Sequence, residues 1–338
     1  MVQQRTRIIG HRGASGYRPE HTASAYELAF ALGADAVEPD VVLSRDGVPV
    51  VRHENEISGT TDVASHTEFA GRRTTREVDG ALHTGWFTED FTWAELQTLR
   101  AKERLPGTRP SSASFDGRFG LLRLADVLRI AEKAGGGAVV ELKHATHFAA
   151  ADLPLADAVA REIAEAGWGS AGRDALVVES FEQTVLGELR ATGLEARWIY
   201  LLEDSGAPFD LLARHGREAL RYADQLTDEG LRVLAESVDG ISLDKATILP
   251  RDALGAAHDA SDVVDRAHAA GLEVFTWTLR AENRFLPRNY RIGRDKAAFG
   301  RWEDEFRAIL ATGVDGVFAD QPDLAVAARS SVGGAAYT

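Results

Sequence analysis

Residues 36–53 read AVEPDVVLSRDGVPVVRH. Two apolar, β-branched runs, 36–42 and 48–53, flank LSRDG, whose Asp46-Gly47 pair is a tight-turn signal. Parallel neighbours need a crossover of roughly a dozen residues or more. The link is too short for that, so 48–53 is expected to return antiparallel as a hairpin arm that carries His53 back toward 36–42. Outward from this pair, short apolar runs alternate with helix-patterned segments. Further strands are expected at 7–11, 137–143, 175–180, 196–201, 240–244, 272–279 and 316–320. Helices are expected at 23–32, 124–134, 153–166, 182–191, 209–219, 228–236, 259–270 and 302–311. Such alternation specifies a parallel α/β architecture. With the arm set aside, eight parallel strands remain, the number of a TIM (β/α)8 barrel.

The first helix has local support. Thr22 is placed to cap it. Ala25, Leu28, Ala29 and Leu32 then form one apolar face, and Gly33 stands at the stop position. Residues 54–120 break the rhythm. They are polar, with interspersed aromatics from Phe69 to Phe119. They read as an insertion over the barrel mouth of a single domain, 1–338, because long loops in compact domains are functional or carry their own structure. A shorter insertion follows at 285–300.

The chain has 338 residues, 44% of them hydrophobic, enough for one large barrel. Its 38 basic and 52 acidic residues give a net charge of −14. A field of that sign repels nucleic-acid backbones and anionic bilayers. Nucleic acid and stable membrane insertion are therefore not expected, and an anionic substrate needs a local positive site. Cysteine is absent, which excludes disulfides, thiolate catalysis and cysteine–zinc sites. MVQQRTRIIG passes from a polar lead into the first strand without a signal-length apolar stretch, and no run of about 18 apolar residues occurs. As written, the chain is expected to be soluble and cytoplasmic, or periplasmic or secreted if an export signal has been removed. The oligomeric state is not encoded in any feature of the sequence.

His11-Arg12 closes the first strand, Glu38-x-Asp40 lies in the second, His53 ends the arm, and Glu141-x-Lys143 ends 137–143. This is the inventory for metal-assisted phosphodiester cleavage: an acid–base pair, a phosphate clamp and a divalent-metal site. Residues two apart on a strand face the same way. If Glu38 and Asp40 face inward, they need a cation between them, and hard oxygen ligands suit Mg2+ or Ca2+. Glu141 is the third ligand candidate. The alternative is that these are strand-end carboxylates open to water. His11 alone reads as a core histidine. Its weight comes from His53, because two imidazoles on opposite sides of a phosphodiester can exchange roles as base and acid. Arg12 and Lys143 are either phosphate ligands or salt-bridge partners of Glu38 and Glu141. Trp277 is either a wall toward substrate or core packing. Glu20 either holds His11 or Arg12 by hydrogen bonds or supports the first helix. Among the remaining histidines, His144 and His147 are placed nearest the site.

Through His11-Arg12, Glu38-x-Asp40 and His53, the chain resembles the glycerophosphodiester phosphodiesterase family. HRGASGYRPEHT (11–22) and GTTDVA (59–64) resemble its bacterial periplasmic-type enzymes in particular. ELK (141–143), SF (180–181), WT (277–278) and GVDGVFADQPD (313–323) extend the likeness over nearly the whole chain. The resemblance implies a TIM barrel with a small subdomain inserted after the His53 arm. It implies one divalent cation, Ca2+ or Mg2+, on Glu38, Asp40 and Glu141. It also implies His11 and His53 as acid–base pair, with Arg12 and Lys143 on the phosphate. The implied reaction hydrolyses a glycerophosphodiester, such as glycerophosphocholine or glycerophosphoethanolamine, to sn-glycerol 3-phosphate and an alcohol. Water or the glycerol 2-hydroxyl would attack. Two positions depart from the pattern: Glu54 stands where Asp usually follows the His, and Asn is missing after WT, with Asn283 nearby.

Three rivals stay open. Sphingomyelinase D-like phospholipases D and phosphatidylinositol-specific phospholipase C share the scaffold, although a polar insertion and an acidic chain weigh against a lipid surface. Teichoic-acid glycerophosphodiesters are a variant within the family. A barrel that only binds its ligand should lack a histidine or a metal carboxylate, and this chain retains all of them.

Overall fold

The structure, a computed structural model, describes residues 5–334. Residues 1–4 of the polar lead lie outside the described residues. In chain order the strands are β1 (Arg7–His11), β2 (Ala36–Glu38), β3 (Asp40–Leu43), β4 (Pro49–Val51), β5 (Thr74–Val78), β6 (Ala81–Gly85), β7 (Gly137–Leu142), β8 (Leu176–Ser180), β9 (Arg197–Leu202), β10 (Gly240–Asp244), β11 (Glu273–Leu279) and β12 (Gly316–Ala319). The continuous strand expected at 36–42 is instead two pieces. Pro39 has no N–H to give to a ladder, and pairing is interrupted there.

β1 pairs with β2, and β2 and β3 both pair with β7. Parallel pairing continues through β8, β9, β10, β11 and β12 and back to β1. Counting β2 and β3 as one interrupted strand, eight parallel strands close the expected TIM barrel. β4 runs antiparallel to β3, with Val42 opposite Val50, as the short Asp46-Gly47 link requires. Beyond it, the Arg52 N–H donates to the Asp40 carbonyl at 3.0 Å, which brings His53 back to the mouth.

The two-residue period of the strands sorts the core. Ile9, Ala36, Val139, Val177, Ile199, Phe275 and Phe318 pack together inside the barrel. Their neighbours Ile8, Val37, Val140, Val178, Tyr200, Val274 and Val317 belong to the larger cluster beneath the helices. Two residues beyond the inner layer stand His11, Glu38, Glu141, Glu179, Trp277 and Asp320, and these form the floor of the mouth.

The helix Ala23–Ala31 begins where Thr22 Oγ1 accepts from Ala25 N at 3.2 Å. It buries Tyr26 together with Ala25 and Ala29, and Leu28 and Leu32 are only partly covered. The expected helices at 209–219 and 259–270 are shorter, Phe209–His215 and Val263–Ala269. Helices at Ala145–Ala150 and Pro322–Gly334 were not anticipated. Segment 54–120 contains short helical turns and the β5–β6 hairpin. Its Ile57, Val63, Phe69, Phe91, Leu96 and Leu99 join the main core. Among the described residues, no helix is long and apolar enough to cross a membrane.

Candidate active site

The turn after β1 sets the first group of side chains. Arg12 and Gly13 both have positive φ, 58° and 85°. A Cβ on Gly13 would lie 2.6 Å from the Ala25 backbone, so only glycine fits that contact. With the chain turned in this way, the Arg12 N–H donates to Glu38 Oε2 at 2.7 Å. The guanidinium lies between Glu20, at 3.4 Å, and Asp40 Oδ2, at 3.2 Å. Glu20 thus reaches Arg12 and not His11.

Four carboxylates meet next to it. In the strand registers, Glu141 sits between Asp40 and Glu179, and Glu38 sits beside His11. Oxygens of Glu38, Glu141 and Glu179 lie within 4.8 Å of one another, and all three residues are buried. Asp40 adjoins them, fully buried, with Oδ2 accepting from His21 Nε2 at 2.9 Å. Burial and mutual repulsion raise Glu38 and Glu179 well above the usual carboxylate range. Glu141 is pushed up to about 8, mainly by burial and then by Asp40, against the pull of Lys143. Asp40 goes the other way: His53, Arg12, Lys143 and the His21 hydrogen bond outweigh its burial. Asp40 Oδ1 and Glu179 Oε2 are buried without a hydrogen-bond partner. Converging hard oxygens with unused lone pairs and no local cation sufficient to neutralise them fit a divalent metal ion.

Each of the two imidazoles has a carboxylate on Nδ1. His11 Nδ1 is 2.6 Å from Asp320 Oδ1, and His53 Nδ1 is 2.6 Å from Glu54 Oε1. Lys143 Nζ lies 3.1 Å from His53 Nε2 and 2.7 Å from Glu141 Oε1. An ammonium can only donate, so His53 Nε2 accepts and its proton sits on Nδ1, toward Glu54. Burial and then Arg12 lower His11 to about 4, against the opposing pull of Asp320. Burial, Arg12 and Lys143 lower His53 to about 3. Both rings are therefore neutral at pH 7.

These groups open on a cavity of about 910 Å³. His11, Arg12, Glu38, His53, Glu141, Lys143 and Trp277 line it. Asp40, fully buried beside Glu141, is not among the residues that line the cavity. Trp277 meets Phe181 edge to face at 5.7 Å, and its buried Nε1 has no partner. His144 lines the cavity and bonds Asp79. His147 turns away to Glu89. Asn283 does not reach the cavity; it holds the second insertion through the Ile292 and Asp295 carbonyls.

Sequence reading missed Glu179, Asp320 and Arg280. A signal for Glu179 was present, because VVES at 177–180 repeats VVEL at 139–142 in the same inward phase. Arg280 lines the cavity and donates to Asp320 Oδ2 at 2.8 Å.

A sequence model of the glycerophosphoryl diester phosphodiesterase family matches residues 11–324. A glycerophosphodiester phosphodiesterase of Arabidopsis thaliana is 31% identical over 326 residues, covering 92% of this chain and 82% of the plant protein. A glycerophosphodiester phosphodiesterase of Haemophilus influenzae is 42% identical over 96 residues, covering 28% of this chain and 24% of that protein. Among solved structures, a phosphodiesterase of Oleispira antarctica in complex with the product sn-glycerol-3-phosphate is similar in fold. Its TM-score is 0.62 at 21% identity, with 96% of this chain and 97% of that one covered.

Proposed function

The chain belongs to the glycerophosphoryl diester phosphodiesterase family, and from that premise we propose that it hydrolyses glycerophosphodiesters such as glycerophosphocholine and glycerophosphoethanolamine to sn-glycerol 3-phosphate and an alcohol. The observation that carries the reading is the meeting of His11, His53, Arg12, Lys143 and the buried carboxylates at one end of one cavity. The sn-glycerol-3-phosphate held by the Oleispira antarctica neighbour supports the product class. The narrower likeness to bacterial periplasmic-type enzymes rests on residues 11–22 and 59–64.

Glu38, Asp40 and Glu141, with Glu179 beside them, would hold one divalent cation, Ca2+ or Mg2+, which when bound supplies charge to polarise the phosphoryl oxygens. Arg12 and Lys143 draw the phosphodiester anion to the same end, Arg12 held in place by Glu20. With both Nδ1 atoms engaged by carboxylates, proton transfer falls to the Nε2 atoms, that of His53 once Lys143 turns from it to the phosphate. One neutral imidazole takes the proton of the attacking oxygen, either water or the glycerol 2-hydroxyl, and in the latter case water must then open the cyclic glycerophosphate to give sn-glycerol 3-phosphate. The other must be protonated to supply the leaving alkoxide. Arg12 contributes to lowering both rings and Lys143 to lowering His53. A bound phosphodiester anion offsets that positive charge and raises them. Trp277 faces the substrate as an apolar wall.

The test is to strip the protein of metal, supply glycerophosphocholine, then add Ca2+ or Mg2+ and assay glycerol 3-phosphate, with His11→Ala in parallel. Release that requires the cation and falls by about 10²–10⁴-fold in the variant is the expected result. No release with either cation would redirect the assay to lysophospholipid, sphingomyelin and polyglycerol phosphate.

A further inference from the structure

We infer that Arg104 and Arg109, on one loop of the 54–120 insertion, are positioning residues that each hold one imidazole of the proposed acid–base pair through its carboxylate; this takes the proposed roles of His11 and His53 as its basis. Arg104 Nη1 and Nη2 donate to the two oxygens of Glu54 at 2.8 and 2.6 Å. Glu54 Oε1 in turn engages His53 Nδ1 at 2.6 Å. The same guanidinium grips Glu20 through Nε and Nη2, both at 2.7 Å. On the other side, Arg109 Nη2 donates to Asp320 Oδ2 at 2.6 Å, and Asp320 Oδ1 engages His11 Nδ1 at 2.6 Å. Arg109 is anchored further by Nε on Glu282 at 2.7 Å and Nη1 on the Ser15 carbonyl at 3.1 Å. Each chain of contacts therefore runs from arginine to carboxylate to imidazole.

The loop is built to present the pair. Glu103 accepts from Leu105 N at 2.8 Å and from Ser112 Oγ at 2.5 Å. Thr108 and Arg109 both donate their N–H to the Leu105 carbonyl at 2.8 Å, and Pro110 starts the turn Pro110–Ala113. The arginine side chains contribute little to the insertion's own structure. Apart from Glu54 at its base, their partners Ser15, Glu20, Glu282 and Asp320 all belong to the barrel or its other loops. Glu54 also gains a reason. A side chain one methylene longer than the expected Asp spans from His53 to Arg104. Arg104 meets Glu54 with two N–H bonds, and Arg109 meets Asp320 with one while Glu282 and Ser15 fix the rest of its planar head; a carboxylate so held keeps its orientation, and with it the tautomer and aim of the ring it holds.

The experiment compares two glycerophosphodiesters, one with an alkoxide leaving group and one with 4-nitrophenolate, which leaves without a proton donor. His11→Gln and His53→Gln establish which imidazole serves the leaving group, because that variant recovers on the nitrophenyl substrate. Arg109→Gln is expected to copy the leaving-group response of His11→Gln, and Arg104→Gln that of His53→Gln. The expected loss is about 10- to 100-fold in kcat, with KM within about twofold. Combining Arg109→Gln with His11→Gln should lower kcat no further than His11→Gln alone. Equal losses of both arginine variants on both substrates, losses confined to KM, or crossed responses would overturn the inference. If a Gln variant does not fold by thermal melting, Arg104→Lys and Arg109→Lys, which keep the charge and lose the fork, carry the same comparison. Full activity in the histidine variants would remove the acid–base reading and this inference together. Intact histidine effects with unresponsive arginine variants would remove the inference alone.

Discussion

Asp40 holds more of the site than its size suggests. It is fully buried, accepts from His21 and lies against Arg12. Removing one partner of a buried charge pair costs about 3–5 kcal/mol. Because Arg12 keeps Glu20, Asp40→Ala is expected at the lower end, about 3 kcal/mol, in urea unfolding with chelator present. Unchanged stability would show that Arg12 is not relying on Asp40. Its zero exposure sets it apart from the strand-end carboxylate open to water that the sequence also allowed. Glu179 gives the opposite sign. Its unpartnered Oε2 sits in a set of buried like charges, so Glu179→Gln should raise the melting temperature in chelator and shrink the further rise on adding Ca2+ or Mg2+. An equal cation-induced rise in both proteins would place Glu179 outside any metal site.

The insertion owes part of its order to one capped turn. Thr92 Oγ1 and the Glu95 side chain close a reciprocal capping box at Trp93–Leu96. Two hydrogen bonds from Arg72 and then the Thr92 N–H pull Glu95 from 4.5 down to about 2. A depressed carboxylate contributes stability that is fully present above its unfolded value and is lost as pH falls through the folded one. Glu95→Gln should therefore melt lower than wild type at pH 7, and the gap should close as pH falls from about 4.5 toward 2. A pH-independent gap would mean that packing, not charge, is being read. At this scale the barrel strands were legible because each follows a short apolar, β-branched run, whereas 36–42 reads as one continuous strand although Pro39, where it breaks, is in view. The β5–β6 hairpin was not found, although Asp79-Gly80 has the positive φ pair, 48° and 78°, of a tight hairpin turn. Its flanks, TTREV and ALHTG, are largely exposed and carry no hydrophobic alternation. The partner of His11 was invisible for another reason. Asp320 is 309 positions away, and only closure of the barrel brings the two together. Arg104 and Arg109 read as loop charges for the same reason, since the fold alone supplies their carboxylates.

Over the whole molecule, two electrostatic scales compete at the cavity. The chain carries a net charge of −14, yet Arg12, Lys143, Lys245 and Arg280 line the cavity beside the floor carboxylates Glu38, Glu141 and Glu179. Glu182, Glu203, Asp204 and Asp244 line the same cavity, so the positive groups do not dominate all of it. Exposed charges act over about 10 Å at 0.1 M salt and about 30 Å at 0.01 M. At low salt an approaching ligand therefore feels the negative whole before it feels the cationic side chains of the cavity. A diester with a neutral alcohol carries a single negative charge and is repelled; zwitterionic glycerophosphocholine carries none overall. With divalent cation held fixed, raising ionic strength from about 0.01 to 0.15 M should raise kcat/KM for glycerophosphoglycerol by several-fold, the sign expected when screening removes repulsion. The value for glycerophosphocholine should change far less. A fall for the anionic substrate would mean that the field at the mouth is positive, and that the cationic side chains of the cavity, rather than the net charge, govern approach.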